Sequence, residues 1–440
     1  MAGIKDVLTG LDRYEEFLEK LEREIAKMEG YRIAVIYSDI KYFKYVNDTY
    51  GYQRGDMLLK EFVHQVTEDN PSMLCAARVY SDNIVLATRL DNDIDNNVFR
   101  DFISDINLKI ERTLRDNYLD EQLRICTGIS IIAQGERVLD AATAVSNANL
   151  ARKVAKELED DCCVLFDYRM MESIKKEVEI TSYLPTAIQK GEFQVYYQPK
   201  MGTDHLKIIG AEALIRWKKP DGKFVFPDEF IPVVERSGQI VDLDYYVYRE
   251  VFRFIDERLR ENKVIVPISV NVSRIHLNKM GILPYVKSLF EEFQIPPELI
   301  EFELTESIYT DDTRKALDLV NGLHEMGVKV SMDDFGSGYS SLNLLSGLPI
   351  DTIKLDKVFL KAEDLKESDR IIISCVIDMA RKLRITSLCE GVETLEQSDY
   401  LSEIGCEIQQ GYYFSRPIPQ EEFKEFMDTL YQEQEKVLAV

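Results

Sequence analysis

From Phe193 to about Met427 the chain repeats one pattern: a short apolar run, a polar residue at its end, then a stretch with helical spacing. Glu212 closes IIGAEAL, Asn271 closes PISVNVS and Glu303 sits in IEFELTE. Asp333 and Asp334 end VKVSMDDFG, Lys354 lies in DTIKLD, Glu390 in SLCEGVET and Gln410 in IQQGYYF. Short apolar runs alternating with helical stretches predict parallel strands joined by crossover helices. In an eight-fold strand–helix barrel the strand C-termini meet on one rim, so residues distant in sequence share a site. The shared site here is mostly carboxylate. Such a cluster repels itself unless some acids protonate or cations bind. Oxygen ligands with one amide suit hard cations such as magnesium or manganese. The pattern therefore predicts a rim holding two metal ions, an arrangement that commonly cleaves phosphate esters.

The first half is patterned differently. Leu11 to Met28 carries apolar positions at helical spacing and predicts an amphipathic lead-in helix within residues 1–30. YRIAVIYSDI predicts a strand, KYFKYVNDTYGYQRGD a turn-rich segment, and Met57 onward a helix. AARVYSDNIVLATRL predicts a β-hairpin, VFRDFISDINLKIERTLRDN a helix, LRICTGISII a strand and AATAVSNANLARKVAKELE a helix. That mixture predicts a compact α+β domain over 31–168. A helix over 169–190 then leads into a barrel over 191–432. No Gly/Ser-rich or Pro-rich linker separates the halves, so a stiff connection is expected.

With 440 residues, 45% of them hydrophobic, two or three cored domains are expected. The formal charge of −24, with no basic block, argues against binding to nucleic-acid polymers or to an anionic membrane surface. A phosphate substrate in that field needs cations nearby. The seven cysteines show no CxxC spacing and fit a reducing, cytoplasmic setting. The N-terminal MAGIKDVLTGLDRYEEF has no apolar signal region, and no apolar stretch is long enough to span a bilayer. His205, His276 and His324 lie outside the strand-end pattern and predict surface or packing roles. Trp217 predicts a core position, and Glu235 in FIPVVERSG a structural one.

The second half resembles the EAL-domain phosphodiesterases, which open cyclic di-GMP. YYQPK, EALIRW, NVS, ELTE, DDFGSGYSSL, KLD, EGVE and QGYYFSRP stand in the family's order between Tyr196 and Pro417. The resemblance implies that Glu212, Asn271, Glu303 and Asp333 hold one magnesium or manganese ion. Asp333 would bridge to a second that Asp334 also binds. It implies that Lys354 and Glu390 position and deprotonate the attacking water, and that Gln410 orients it, with Glu393 beside them. Glu306 would anchor the DDFGSGYSS loop, while Gln198, Leu214, Arg216 and Pro417 would contact the dinucleotide. Family members often pair through the barrel, which implies a homodimer.

The first half resembles a GGDEF domain, the family that makes cyclic di-GMP from GTP. Asp39 and Asp82 match its metal positions, Asn47 and Asp56 its guanine-recognition positions, and Lys156 a phosphate-contacting lysine. The signature hairpin departs from the family: Tyr80-Ser81-Asp82-Asn83-Ile84 stands where Gly-Gly-Asp/Glu-Glu-Phe is expected. Pro71 and Leu74 replace the charged pair of the inhibitory site. These changes imply a domain without cyclase activity, serving either as a GTP-responsive regulator or as a structural, dimerising module. Tyr80 is placed to close the nucleotide pocket. Two further readings of the whole chain stand beside the phosphodiesterase: a cyclic di-GMP receptor that does not cleave, and an interaction scaffold.

Overall fold

The structure is a computed structural model describing residues 5–67, 70–118, 123–133, 140–158, 162–203, 207–277, 281–336, 347–360 and 367–438. It divides into two compact units, Met1–Lys176 and Glu177–Val440. The helix Tyr168–Gln189 spans that division. Its second half packs Ile180, Leu184 and Ala187 against Phe193, Trp217 and Phe230 of the second unit. No described helix is long and apolar enough to cross a membrane. Among the described residues no cysteine is in a disulfide.

The first unit is a six-stranded sheet in the order β1-β3-β4-β2-β5-β6. The strands are β1 (Asp12–Arg13), β2 (Tyr31–Lys41), β3 (Met73–Tyr80), β4 (Asn83–Asp91), β5 (Arg124–Ile132) and β6 (Cys163–Leu165). The segment expected as a lead-in belongs to this unit. β1 pairs with β3, and helix Tyr14–Ala26 buries Phe17 and Leu21 against Ile33, Val35 and Tyr37. The segment expected to be turn-rich is instead two helices, Phe43–Tyr50 and Tyr52–Thr67, separated at Gly51. Its Tyr, Asn and Gly content reads as turn, but Phe43, Val46, Leu58, Leu59 and Phe62 fall at helical spacing and are buried together. Tertiary burial overrides the local propensity.

Helix Ala141–Glu157 lies on β5 at very close range, and Gly128 is the reason. A Cβ at that position would stand 2.0 Å from the Ala148 carbonyl oxygen and 2.1 Å from the Arg152 nitrogen. Gly128→Ala is therefore expected to push helix and sheet apart and to destabilise this unit by about 3 kcal/mol or more. A denaturant titration of the variant checks this, and an unchanged transition would show that the helix can shift freely.

The second unit contains a closed barrel. Its strands are β7 (Phe193–Gly202), β8 (Ile208–Lys218), β10 (Ile268–Val272), β11 (Ile300–Thr305), β12 (Lys329–Phe335), β13 (Thr352–Leu355), β14 (Thr386–Cys389) and β15 (Ile408–Gln409). They run β8-β10-β11-β12-β13-β14-β15-β7 and close onto β8. Short strands β9 (Phe224–Val225) and β16 (Ile418–Pro419) extend β8 and β7. This is the expected TIM-type barrel with one strand reversed. β7 is antiparallel to both neighbours, because only residues 203–207 connect it to β8 and a parallel partner needs a crossover.

The barrel's two faces divide by chemistry. On β10, Ile268, Val270 and Val272 pack outward with Val251, Phe252 and Ile255 of helix Ile240–Arg260. The alternate residues on the strands are polar yet buried: Lys200, Ser269, Glu303, Ser331, Thr352, Lys354 and Ser387. A strand alternates its side chains between faces, so these line the interior and carry the polar pattern up to the strand ends.

Candidate active site

The parallel register sets the polar strand ends side by side. Asn271 pairs with Glu303 across β10 and β11, and Thr305 with Asp333 across β11 and β12. Asp333 and Asp334 are adjacent in one strand and would normally point to opposite faces. The pairing of β12 with β13 shifts between Met332 and Phe335, and Asp334 takes φ +56. This bulge turns both carboxylates to one place. Asp333, Asp334 and Glu390 each bring a carboxylate oxygen within 4.8 Å of the others.

Lys354 stands at the middle, 1% exposed on its side chain. Its Nζ is 2.6 Å from Glu303 Oε2, 2.7 Å from Glu390 Oε1, 2.9 Å from Asp333 Oδ1 and 3.6 Å from Glu212 Oε2. Gln410 donates from Nε2 to Glu212 Oε2 at 2.7 Å and to Gln198 Oε1 at 3.1 Å. Asn271 donates from Nδ2 to Glu212 Oε1 at 3.0 Å. Eight of the residues singled out from the sequence for metal binding or catalysis thus meet: Glu212, Asn271, Glu303, Asp333, Asp334, Lys354, Glu390 and Gln410.

The electrostatics follow from burial and crowding. Burial, with the charges of Asp333 and Glu212, pushes Glu390 up to about 8. Burial, with Asp333 and Asp356, pushes Asp334 up to about 6. Glu212 is raised by burial and by Glu303. Burial acts to raise Glu303 too, but Lys200 and Lys354 hold it down at about 2. Lys354 itself is held well above the usual lysine value, because four carboxylates outweigh its burial. Without cations the folded chain therefore keeps protons on Glu390 and Asp334 that the unfolded chain releases near pH 4. Stability from this source is full below the unfolded values and is lost as pH rises toward about 8. Melting curves in a chelator are expected to shift downward between about pH 5 and 8, and manganese to remove the shift. A melting temperature that rises over that window would contradict the assignment.

The donor set fits hard divalent cations. Five carboxylates and an amide oxygen face a cluster whose contacting cations are Lys354 and Lys200, and Gln410 Oε1 is buried without a partner. Lys200 received no role from the sequence. It is buried, 2.8 Å from Glu303 Oε1 and 3.4 Å from Glu301 Oε2. Its position inside the apolar run YYQPKMG was the available signal, since a lysine in such a run is buried only when paired.

The substrate candidates lie above the cluster. Glu212, Leu214 and Arg216 alternate along β8 and share one face, with Gln198 opposite Glu212 on β7. Gln198 donates to the Ser415 carbonyl at 3.2 Å, Arg216 lies over the Tyr196 ring at 5.8 Å, and Pro417 precedes β16. Glu306 is buried at the start of helix Glu306–Asp311, with Oε2 3.5 Å from the Gly336 N–H at the mouth of the DDFGSGYSS segment. Residues 337–341 of that segment lie outside the described residues, as does His205. Glu393 does not join the cluster. It is exposed, and its own N–H donates to Gln397. Gly391, at φ +71, turns the chain away after Glu390. His276 is buried 2.9 Å from Asp244, and Glu235 accepts from Ser273 at 3.0 Å, so both brace the NVS turn. Trp217 is core and donates to Glu192 at 3.1 Å.

Relatives carry the same arrangement of domains. The family model of the EAL domain matches residues 182–417, more than half of the chain. The chain belongs to the EAL domain family. The model of the diguanylate cyclase GGDEF domain matches residues 4–161, so the two stand in tandem. The chain is 29% identical over 429 residues to signaling protein YkoW of Bacillus subtilis, covering 96% of this chain and 52% of that protein. It is 29% identical over 433 residues to the cyclic di-GMP phosphodiesterase NbdA of Pseudomonas aeruginosa, covering 96% and 54%. The bifunctional diguanylate cyclase/cyclic di-GMP phosphodiesterase MucR of the same species is 29% identical over 424 residues, covering 96% and 61%. The chain thus spans between half and two thirds of these relatives. Among solved structures, the PaMucR phosphodiesterase in complex with c-di-GMP superposes with a TM-score of 0.53 at 32% identity, covering 56% of this chain and 99% of that one. The Vibrio cholerae LapD S helix-GGDEF-EAL structure, at 18% identity and a TM-score of 0.50, covers 93% of this chain and shows the fold alone.

In the first unit, the hairpin tip at Tyr80-Ser81 leaves Tyr80 60% exposed and outside the neighbouring cavity. Tyr80 therefore does not close this cavity as expected, because the turn directs it to solvent. Asn47, Asp82 and Lys156 line that cavity, whereas Asp39 and Asp56 do not. Asp39 is buried behind it and Asp56 is exposed.

Proposed function

We propose that the chain hydrolyses cyclic di-GMP to linear 5'-pGpG with two magnesium or manganese ions in the barrel. The observation that carries the reading is the convergence of five carboxylates, Asn271, Lys354 and Gln410 at the strand ends, in a barrel similar to a phosphodiesterase solved with c-di-GMP. Glu212, Asn271, Glu303 and Asp333 would hold one ion, and Asp333 and Asp334 the other. When bound, such ions supply a nucleophile from water at neutral pH and offset charge developing at phosphorus. The chain's own groups do the rest. Lys354 and Glu390, 2.7 Å apart, would hold the attacking water, the ammonium by orienting it and the Glu390 carboxylate, once cations have displaced its proton, by taking the water's proton. Gln410 fixes Glu212 and Gln198 on the opposite wall. Arg216 suits a phosphate oxygen by its planar fork. Leu214 and Pro417 border the dinucleotide, Glu306 tethers the loop, and Glu393 acts only at the rim.

The N-terminal domain, including the segment before residue 31, is proposed to be without cyclase activity. Ser81 brings a side chain to the cavity where the triphosphate needs bare backbone, and Asn83 lacks the glutamate charge. The cavity beside Asn47, Asp82 and Lys156 favours a regulatory guanine-nucleotide site over a purely structural role. The enzyme is proposed to be cytoplasmic and dimeric through the barrel domain over 191–432.

The test is to incubate the metal-stripped protein with cyclic di-GMP and follow pGpG by chromatography, adding magnesium or manganese, with and without GTP. The expected result is cleavage only with metal, stimulated by GTP. Tight binding of the dinucleotide without cleavage in any condition would put the receptor reading in its place.

A further inference from the structure

The resemblance to cyclases places a divalent ion between Asp39 and Asp82, and the first unit does not fit one. Asp39 lies on β2, opposite Cys126 of β5. The close approach at Gly128 presses helix Ala141–Glu157 onto that part of the sheet. Arg152 and Lys156 are one turn apart on this helix, and both reach the same oxygen of Asp39. The Arg152 guanidinium pairs with Oδ2, and Lys156 Nζ stands 2.7 Å from it. Arg152 is 5% exposed and Asp39 2% exposed. The guanidinium is further fixed by Asn149 Oδ1 at 3.0 Å and by the Tyr37 ring beneath it at 5.4 Å.

Asp82 is no freer. Its Oδ2 accepts from the Ile40 N–H at 2.9 Å. Asp39 Oδ1 has no hydrogen-bond partner, but its carboxylate already meets two full positive charges. A divalent ion arriving there would face both cations at contact range. Among the described residues, the group of three or more acid, histidine or cysteine donors close enough to share an ion is the one in the barrel. Asp39 and Asp82 have no such third partner.

The cavity in front of this ion pair is about 330 Å³, in the range of small-molecule pockets. Tyr42 and Tyr52 line it with aromatic rings, Asn47 with an amide, Asp48 and Asp82 with carboxylates, and Lys44 and Lys156 with basic side chains. Rings suit a purine, the amide and carboxylate its hydrogen-bonding edge, and the lysines its phosphates.

We propose that this pocket binds a guanine nucleotide without any divalent ion, because Arg152 neutralises Asp39 from behind and Lys156 meets the phosphates in the place of the metal. The inference rests on the regulatory-site reading of the first domain and is independent of what the barrel does. It also accounts for the loss of cyclase chemistry beyond the hairpin, since no ion is left to activate an attacking hydroxyl.

The test is calorimetric titration of the full chain with GTP, first in excess chelator and then in magnesium. The expected result is binding with dissociation constants equal within about threefold in the two conditions. Lys156→Met is expected to weaken binding about tenfold in both, which locates the site. Arg152→Met exposes Asp39 to an ion and is expected to make binding magnesium-dependent by about tenfold. The wild-type comparison decides the matter even if the Arg152 variant fails to fold. Wild-type binding that needs magnesium overturns the inference and leaves the nucleotide site standing. No binding of GTP in either condition overturns both.

Discussion

Lys354→Met is expected to lower turnover of cyclic di-GMP about 10²–10⁴-fold while leaving metal affinity unchanged or tighter. The reasoning starts from what Lys354 touches. Its ammonium contacts Glu303, Glu390 and Asp333 within 2.9 Å, the same carboxylates assigned to the ions and the water. A methionine of similar length removes the charge and keeps the volume. The cations then lose a competitor for those oxygens, whereas the water loses the group that orients it. Without metal the variant leaves crowded acids unneutralised, which costs about 3–5 kcal/mol or drives proton uptake. Its stability must therefore be read in manganese. Loss of activity that excess metal restores would show that Lys354 only organises the ligands. Near-normal turnover would remove it from the chemistry.

Asp333→Asn is expected to fail for the opposite reason. Asp333 is the acid common to both proposed ions, and it is 8% exposed beside Asp334 and Glu390. The amide keeps the shape and one oxygen but removes the charge that two cations would share. Turnover should fall by about 10³-fold, in keeping with several kcal/mol of charge stabilisation. The metal concentration needed for half-maximal binding should rise at least about tenfold. The two variants thus separate on one pair of measurements. The Lys354 variant binds metal and does not turn over, while the Asp333 variant does not hold metal. If Asp333→Asn kept most of its activity at the ordinary metal concentration, Asp333 would not be the shared ligand.

Much of this architecture was legible in the chain because burial leaves a mark on sequence. Apolar runs such as PISVNV and IEFELT end in one polar residue, which is what a barrel strand opening onto a rim requires. The convergence of Glu212, Glu303, Asp333 and Lys354 follows from that pattern and the parallel register. Other features left weaker marks. The bulge that aims both Asp333 and Asp334 inward is a backbone event at φ +56, and an adjacent acid pair alone does not reveal it. The reversal of β7 depends on a five-residue connection rather than on any side chain. Residues 41–56 look like a turn because Tyr, Asn and Gly dominate locally, yet Phe43 and Val46 are drawn into the core as helix.

The charged residues missed were those whose partners come from elsewhere in the chain. Arg152 has no distinguishing mark within NLARKVAKE, and only the approach of its helix to β2 buries it on Asp39. Lys200 reads as the end of a strand motif, and its pairing with Glu301 and Glu303 needs the closed barrel. Glu393 shows the converse: a motif residue that the turn at Gly391 leaves in solvent. Sequence spacing reports which face a residue occupies, and long-range packing decides what it meets there.

The most direct measurement of the central claim is a crystal structure of the chain soaked with manganese, read by anomalous scattering. Two manganese peaks are expected, one among Glu212, Asn271, Glu303 and Asp333 and one between Asp333 and Asp334, and none at Asp39. A single peak, or none in the barrel with Lys354 still seated on Glu303 and Asp333, would contradict that claim.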